Sequence, residues 1–185
     1  MKRIAVFASG SGTNAENIYY HFLGTKTAKI ALILTENPSA FVLERAKNLK
    51  IPSHVFTMAE LRNGVVEELL SMESIDFIVL AGFLKLIPTP MVTRFKGRIV
   101  NVHPALLPKF GGKGMYGMNV HRAVVAAGEI ETGITIHMVN EQYDEGDIVF
   151  QARCPVLPSD TAEGVANKVH ALEYEYYPKI IESLL

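Results

Sequence analysis

Apolar residues follow two rhythms that alternate along the first half of the chain. Ile4-Ala5-Val6-Phe7 is short and uninterrupted, the pattern of a strand buried on both faces. Beyond Gly10 and Gly12, helical spacing runs from about Asn14 to Leu23. Ile30 to Leu34 is a second buried strand, closed by the turn pair Asn37-Pro38. The pattern then predicts a helix over 40–49 and, past Pro52, a short extended piece at His54-Val55-Phe56. An amphipathic helix over 59–70 and a strand at Phe77-Ile78-Val79-Leu80 follow. Thr89-Pro90 reads as an N-cap with proline at the first helical position.

Ile99 to Val102 is a further strand, and residues 105–118 form one long loop rich in Gly and Pro, a length at which loops usually carry function. Asn119 to Ala127 reads as a helix ended by Gly128. Thr135 to Val139 and Ile148 to Ala152 are strands, and Asp160 with Glu163 has capping-box spacing before a last helix reaching about Ser183. The sequence contains neither a repeat nor a linker. The alternation predicts one domain over residues 1–185 with an α/β fold. It is expected to be Rossmann-like: an open, mostly parallel sheet, helices on both faces, ligands at the carboxyl ends of the strands.

Composition narrows the function classes. A chain of 185 residues supports one full hydrophobic core, and 49% hydrophobic with 20% charged residues is the balance of a folded globule. Lys and Arg total 18 against 19 Asp and Glu, so bulk charge points to neither nucleic acid nor an anionic membrane. The longest clean apolar run, Phe77 to Leu84, falls short of the ~18 residues of a membrane span. Met1-Lys2-Arg3 enters a strand pattern at once, without the features of a signal peptide. The single cysteine, Cys154, has no internal partner and reads as a small buried hydrophobe. The expectation is a cytoplasmic protein with small-molecule substrates, leaving room for a homodimer.

Three constellations carry candidate chemistry. Ser9-Gly10-Ser11-Gly12-Thr13-Asn14-Ala15 follows the first strand, where glycines let the backbone turn tightly and the next helix aims N–H groups at an anion. The same stretch fits Gly-x-Gly-x-x-Ala with Glu36 near the ribose-binding position, so a dinucleotide-binding module is a rival. The polar pair Thr13-Asn14 suits a single terminal phosphate better. Asn101 and His103 are two apart on one strand and project to the same side, an amide donor beside an imidazole. Asp144 lies in a turn between two strands; it is either a turn residue or a carboxylate that orients His103 and raises its pKa. His21 and His54 read as surface or edge residues, His137 as a core histidine, and His121 as a minor candidate. No cluster has metal-ligand spacing, so no metal is expected, and no Gly-x-Ser-x-Gly elbow is present.

Together Ser9-Gly10-Ser11-Gly12-Thr13-Asn14, Leu80-Ala81-Gly82-Phe83-Leu84 and Asn101-Val102-His103-Pro104-Ala105-Leu106-Leu107-Pro108 resemble the phosphoribosylglycinamide formyltransferase family. Gly133-Ile134-Thr135-Ile136-His137 and Tyr143-Asp144-Glu145-Gly146 match in the same order, and the resemblance runs from about residue 3 to Ile180. It implies formyl transfer from 10-formyltetrahydrofolate, a co-substrate, to the amine of glycinamide ribonucleotide in purine (IMP) biosynthesis. Asn101, His103 and Asp144 match the family's catalytic trio. The ribonucleotide phosphate would lie on Gly12, Thr13 and Asn14, with His170 and Glu173 as further substrate contacts. His170 stands where the family carries a longer polar side chain.

For the folate, the resemblance implies Leu84, Lys85, Leu86 and Ile87, then Asn140, Glu141, Gln142, Tyr143 and Asp144 together with Asn101. Arg62 is implied as a partner for the glutamate tail, and a cis bond is implied at Leu107-Pro108. Two departures stand out. The loop from Lys109 to Gly117 is longer and richer in glycine than the family pattern, and the sequence stops soon after Tyr177-Pro178, short of an extension many relatives carry. The rivals are formyltetrahydrofolate deformylase, whose N-terminal regulatory domain has no counterpart before residue 3, and methionyl-tRNA formyltransferase, whose C-terminal RNA-binding domain has no room here.

Overall fold

The computed structural model describes all residues, 1–185. The continuous apolar runs pair into one seven-stranded sheet. In chain order its strands are β1 (Lys2–Phe7), β2 (Ala28–Thr35), β3 (Ser53–Val55), β4 (Phe77–Leu80), β5 (Ile99–His103), β6 (Glu131–Met138) and β7 (Ile148–Pro155). Their spatial order is β3-β2-β1-β4-β5-β6-β7. The first five run parallel, and β6 and β7 are added antiparallel.

The helices are α1 (Thr13–Thr25), α2 (Val42–Asn48), α3 (Met58–Arg62), α4 (Val65–Met72), α5 (Thr89–Arg94), α6 (Met118–Ala126) and α7 (Ala162–Leu184). Period-two alternation divides the core in two. Ile4, Val6 and Ala8 pack with α1, α6 and α7, while Ala5 and Phe7 face α3, α4 and α5. A bulge sets Ile30 opposite Ile4 but Leu32 opposite Ala5. No helix is long and apolar enough to cross a membrane.

Three sequence expectations need correction. The helix expected over 59–70 is two helices, because Gly64 takes a φ of 90° that ends the first. A capping box, Thr57 with Glu60, opens α3. Thr89 is not a cap but the first residue of α5, with Pro88 in the cap position. At the start of α7 the cap is Thr161, whose hydroxyl accepts from the Gly164 N–H at 3.1 Å. Asp160 instead accepts from the Leu157 N–H and pairs with Lys168.

Helix α7 ties the two halves of the sheet to each other. The Tyr177 side chain is fully buried, and its hydroxyl is placed to donate to Leu80 O (2.8 Å) and Val100 O (3.2 Å), carbonyls of the neighbouring strands β4 and β5. Burial pushes this phenol well above its ordinary pKa, so it remains a donor. Pro178, inside the helix, cannot bond Tyr174 O, and Asn17 Nδ2 from α1 donates to that carbonyl at 2.9 Å instead. Tyr177→Phe removes the one donor that these two buried carbonyls share and should cost about 1–3 kcal/mol. Urea unfolding followed by circular dichroism measures this. A midpoint equal to the parent protein's would mean that the hydroxyl contributes nothing.

Candidate active site

The parallel strands deliver their carboxyl ends to one edge, and the loops after β1 and β4 meet there, where the winding of the sheet reverses. A cleft of about 640 Å³ opens between them. Its first wall is the turn entering α1. Gly12 is the cap residue, with φ 74°, and no side chain caps the free N–H groups behind it. The packing also requires glycine at this position, since a Cβ would stand 2.3 Å from Val42 Cγ2 and 2.9 Å from Val42 Cα. A Gly12→Val change would therefore report on the seating of α2 rather than on anion binding. Ser9, one turn earlier, donates its hydroxyl to Glu36 (2.8 and 3.0 Å) and accepts the Leu84 N–H (3.0 Å). The carboxylate that a dinucleotide would use for its ribose is thus already engaged in holding the loop after β4.

At the same end α1 and α7 share one carboxylate oxygen. Asn14 Nδ2 donates to Glu173 Oε2 at 2.8 Å, and His170 Nδ1 stands 3.2 Å from that oxygen. Glu173 is 5% exposed, so its charge lies inside the wall of the cleft. The hydrogen bond to Glu173 raises the His170 pKa against a smaller opposing effect of burial. His121 of α6 is 2% exposed with its ring 6.4 Å from His170, and its Nδ1 finds no partner in the protein. Burial and then the nearby His170 charge lower its pKa.

Asn101, His103 and Asp144 line the same cleft, and the loop after β5 contacts the last two through Phe110 O and the Gly112 N–H. His103 Nε2 faces Phe110 O at 2.7 Å, and Nδ1 faces Asp144 Oδ2 at 3.4 Å. That carboxylate oxygen accepts the Gly112 N–H at 2.9 Å. Asp144 sits at φ 57°, a left-handed conformation that aims its side chain back beneath the loop. Burial raises the Asp144 pKa, but His137, His103 and the Gly112 N–H together outweigh burial and hold the carboxyl below its ordinary value. For His103 the net sign differs from the sequence expectation. Burial lowers the imidazole, and Asp144 and Phe110 O pull upward without reversing that. The Leu107–Pro108 peptide is cis.

The comparisons with known proteins agree along the whole chain. The family profile described as formyl transferase matches residues 2–181. Phosphoribosylglycinamide formyltransferase of Haemophilus influenzae is 38% identical, covering 98% of this chain and 86% of its own. The Bacillus subtilis protein of the same name is 35% identical, covering 100% and 95%. The chain belongs to the formyl transferase family. Within it the chain groups with the phosphoribosylglycinamide formyltransferases, and the crystal structure of the one from Bacillus halodurans is similar at a TM-score of 0.90 and 37% identity, over 100% of this chain and 95% of that one.

Of the residues expected from sequence, this formyl transferase chain brings most into the one cleft. Gly12, Thr13, Asn14, His170 and Glu173 line it. Leu84, Lys85, Leu86, Ile87, Gln142 and Tyr143 line the same cleft. Arg62, Asn140 and Glu141 do not line the cleft; Arg62 is exposed at the end of α3, and Asn140 Oδ1 accepts the Gln142 N–H. His137, read from sequence as a core histidine, is buried but belongs to the cleft wall. Its period on β6 gave it an inward face, and only the pairing with β5 shows that this face meets Asn101.

The two opposed influences on His103 can be separated by titration. Asp144→Asn removes the largest upward pull and leaves burial, so the His103 midpoint should fall further below that of an ordinary histidine. Histidine ring NMR across pH 4 to 8 reads this shift. A midpoint that stays put or rises would show that the carboxylate does not act on the ring.

Proposed function

We propose that this chain transfers the formyl group of 10-formyltetrahydrofolate to the primary amine of glycinamide ribonucleotide, in cytoplasmic purine biosynthesis. The supporting observation is that Asn101, His103 and Asp144 line one cleft together with the N-terminus of α1 and the apolar side chains of Leu84, Leu86 and Ile87. The N–H groups of Thr13 and Asn14 and the positive end of α1 suit a phosphate. Glu173, an acceptor one helix away, suits the ribose diol. Leu84, Leu86 and Ile87 offer apolar surface to the folate ring system, which would reach the centre between this wall and Gln142–Tyr143.

The chemistry needs a donor for an oxyanion and a route for one proton. The amine nitrogen attacks the formyl carbon, its lone pair forms the new C–N bond, and the carbonyl pair moves onto oxygen. The second N–H of Asn101 donates to that oxygen. The ammonium then loses a proton to the His103–Asp144 pair; the oxyanion pair re-forms the carbonyl as the C–N10 bonding pair goes to N10, which leaves as the neutral amine with a proton from the same pair. Charge and protons balance with nothing else consumed. Both ring nitrogens of His103 are occupied in the present arrangement, one by Phe110 O and one facing Asp144. Reaching substrate therefore requires the loop carrying Phe110 to release that carbonyl.

Purified protein supplied with both substrates should form tetrahydrofolate and formylated ribonucleotide in equal amounts, with little folate turnover when the amine is withheld. Equal turnover without the amine would favour hydrolysis. Asn101→Ala should lower kcat by roughly 10²–10³. The His103→Ala and Asp144→Ala losses should overlap, so that the double variant is far from additive. Strict additivity would leave Asp144 as a turn residue only.

A further inference from the structure

His137 and Asn101 are cross-strand partners, directly opposite each other on the antiparallel pair β5 and β6. His137 is 2% exposed, so its ring nitrogens must be satisfied from within. Nδ1 stands 3.0 Å from Met138 O, and a carbonyl can only accept, so Nδ1 carries the hydrogen. In the neutral ring Nε2 is then a lone pair. Facing it at 3.1 Å is Asn101 Nδ2, a donor. This is the one hydrogen bond that the Asn101 side chain makes within the protein.

The alternative partner for Nε2 is Asp144 Oδ1 at 3.6 Å, beyond hydrogen-bond length. Asp144 is held back by its other oxygen, which accepts the Gly112 N–H and faces His103. A hydrogen on Nε2 would point at Asp144 and would also confront the Asn101 NH₂ group, forcing the amide to turn and present Oδ1. An amide turned that way would spend its oxygen on the ring and carry the NH₂ group to the opposite side, away from its present aim.

We infer that His137 is a positioning residue: its bare Nε2 accepts one N–H of Asn101 and thereby fixes the other N–H toward the reacting oxygen in the cleft. The inference rests on the formyl-transfer reading of the site. It explains why a buried histidine, rather than an apolar residue, occupies the position opposite Asn101. Glutamine is the conservative test, because its Oε1 accepts as Nε2 does; leucine fills similar space and accepts nothing.

His137→Leu should lower kcat about 10- to 30-fold, part of the ~10²–10³ that the whole Asn101 donor is worth. KM for either substrate should stay within about twofold, since the bond sets the aim of a donor and not the binding of substrate. His137→Gln should recover most of the rate. In an Asn101→Ala background His137→Leu should cost less than about twofold, because there is no longer an amide to aim. Ring ¹⁵N shifts of the unmodified protein at pH 7 supply a readout that needs no variant and no turnover: Nδ1 should be protonated and Nε2 bare. A protonated Nε2 would overturn the inference, as would a glutamine variant no better than leucine when both melt normally, or an undiminished loss in the Asn101→Ala background. Failure of the formyl-transfer reading would appear separately, as no turnover by the unmodified protein.

Discussion

A carboxylate largely withdrawn from water needs partners, and at this site Asp144, with 11% of its side chain exposed, is the charge around which the other groups are arranged. Taking an unpaired carboxylate out of water costs far more than one domain's margin of stability, so every neighbour must compensate. Its partners come from two separate stretches, His103 on β5 and the Gly112 N–H in the long loop, and the carboxylate fixes them relative to each other. The left-handed backbone at Asp144 is the local strain that this arrangement requires, and its neighbours hold the carboxyl below its ordinary pKa in spite of burial.

The sheet supplies the rigid frame for that cluster. Leu80 O and Val100 O, near the ends of two adjacent parallel strands, share the Tyr177 hydroxyl, so α7 cannot shift without disturbing both. The same helix carries Glu173, one turn before Tyr177, and Glu173 holds Asn14 at the entrance to α1. The turn entering α1 and the Asn101–His103 strand are therefore fixed by a single helix. The close contact of Gly12 with Val42 adds α2 to this frame, so packing alone already requires glycine there.

Most of the frame was legible in the sequence because buried parallel strands announce themselves as short continuous apolar runs. Asn101 and His103 were legible for the same reason: alternation on a strand puts residues two apart on one side. Asp144 was ambiguous because a turn aspartate and a buried charge look alike without the fold. His137 is the satisfied core histidine that the sequence suggested, but its match with Asn101 was not legible, because that partner lies 36 positions away and depends on strand pairing in a hairpin whose register also shifts between Ile136 and His137. The split at Gly64 and the cap at Thr161 were missed for a smaller reason: several residues compete for each boundary role, and local geometry chooses between them.

The His103–Asp144 pair and His170 respond to acid in opposite senses. His103 has a folded pKa below its unfolded one, so the unfolded chain takes up this proton first, and stability is lost as pH falls below the ordinary histidine range. Asp144, with a lowered carboxyl pKa, contributes stability that is present above the ordinary aspartate value and is lost as pH falls through its folded value. His170 has a raised pKa, so its contribution is complete below the ordinary histidine value and fades as pH rises through the folded one. Because His170 is half-exposed, solvent keeps that contribution small. Near neutrality His170 thus gains from a proton while the His103–Asp144 pair resists one. The pair needs that resistance, because a His103 charged at all times has no capacity to receive a proton during turnover.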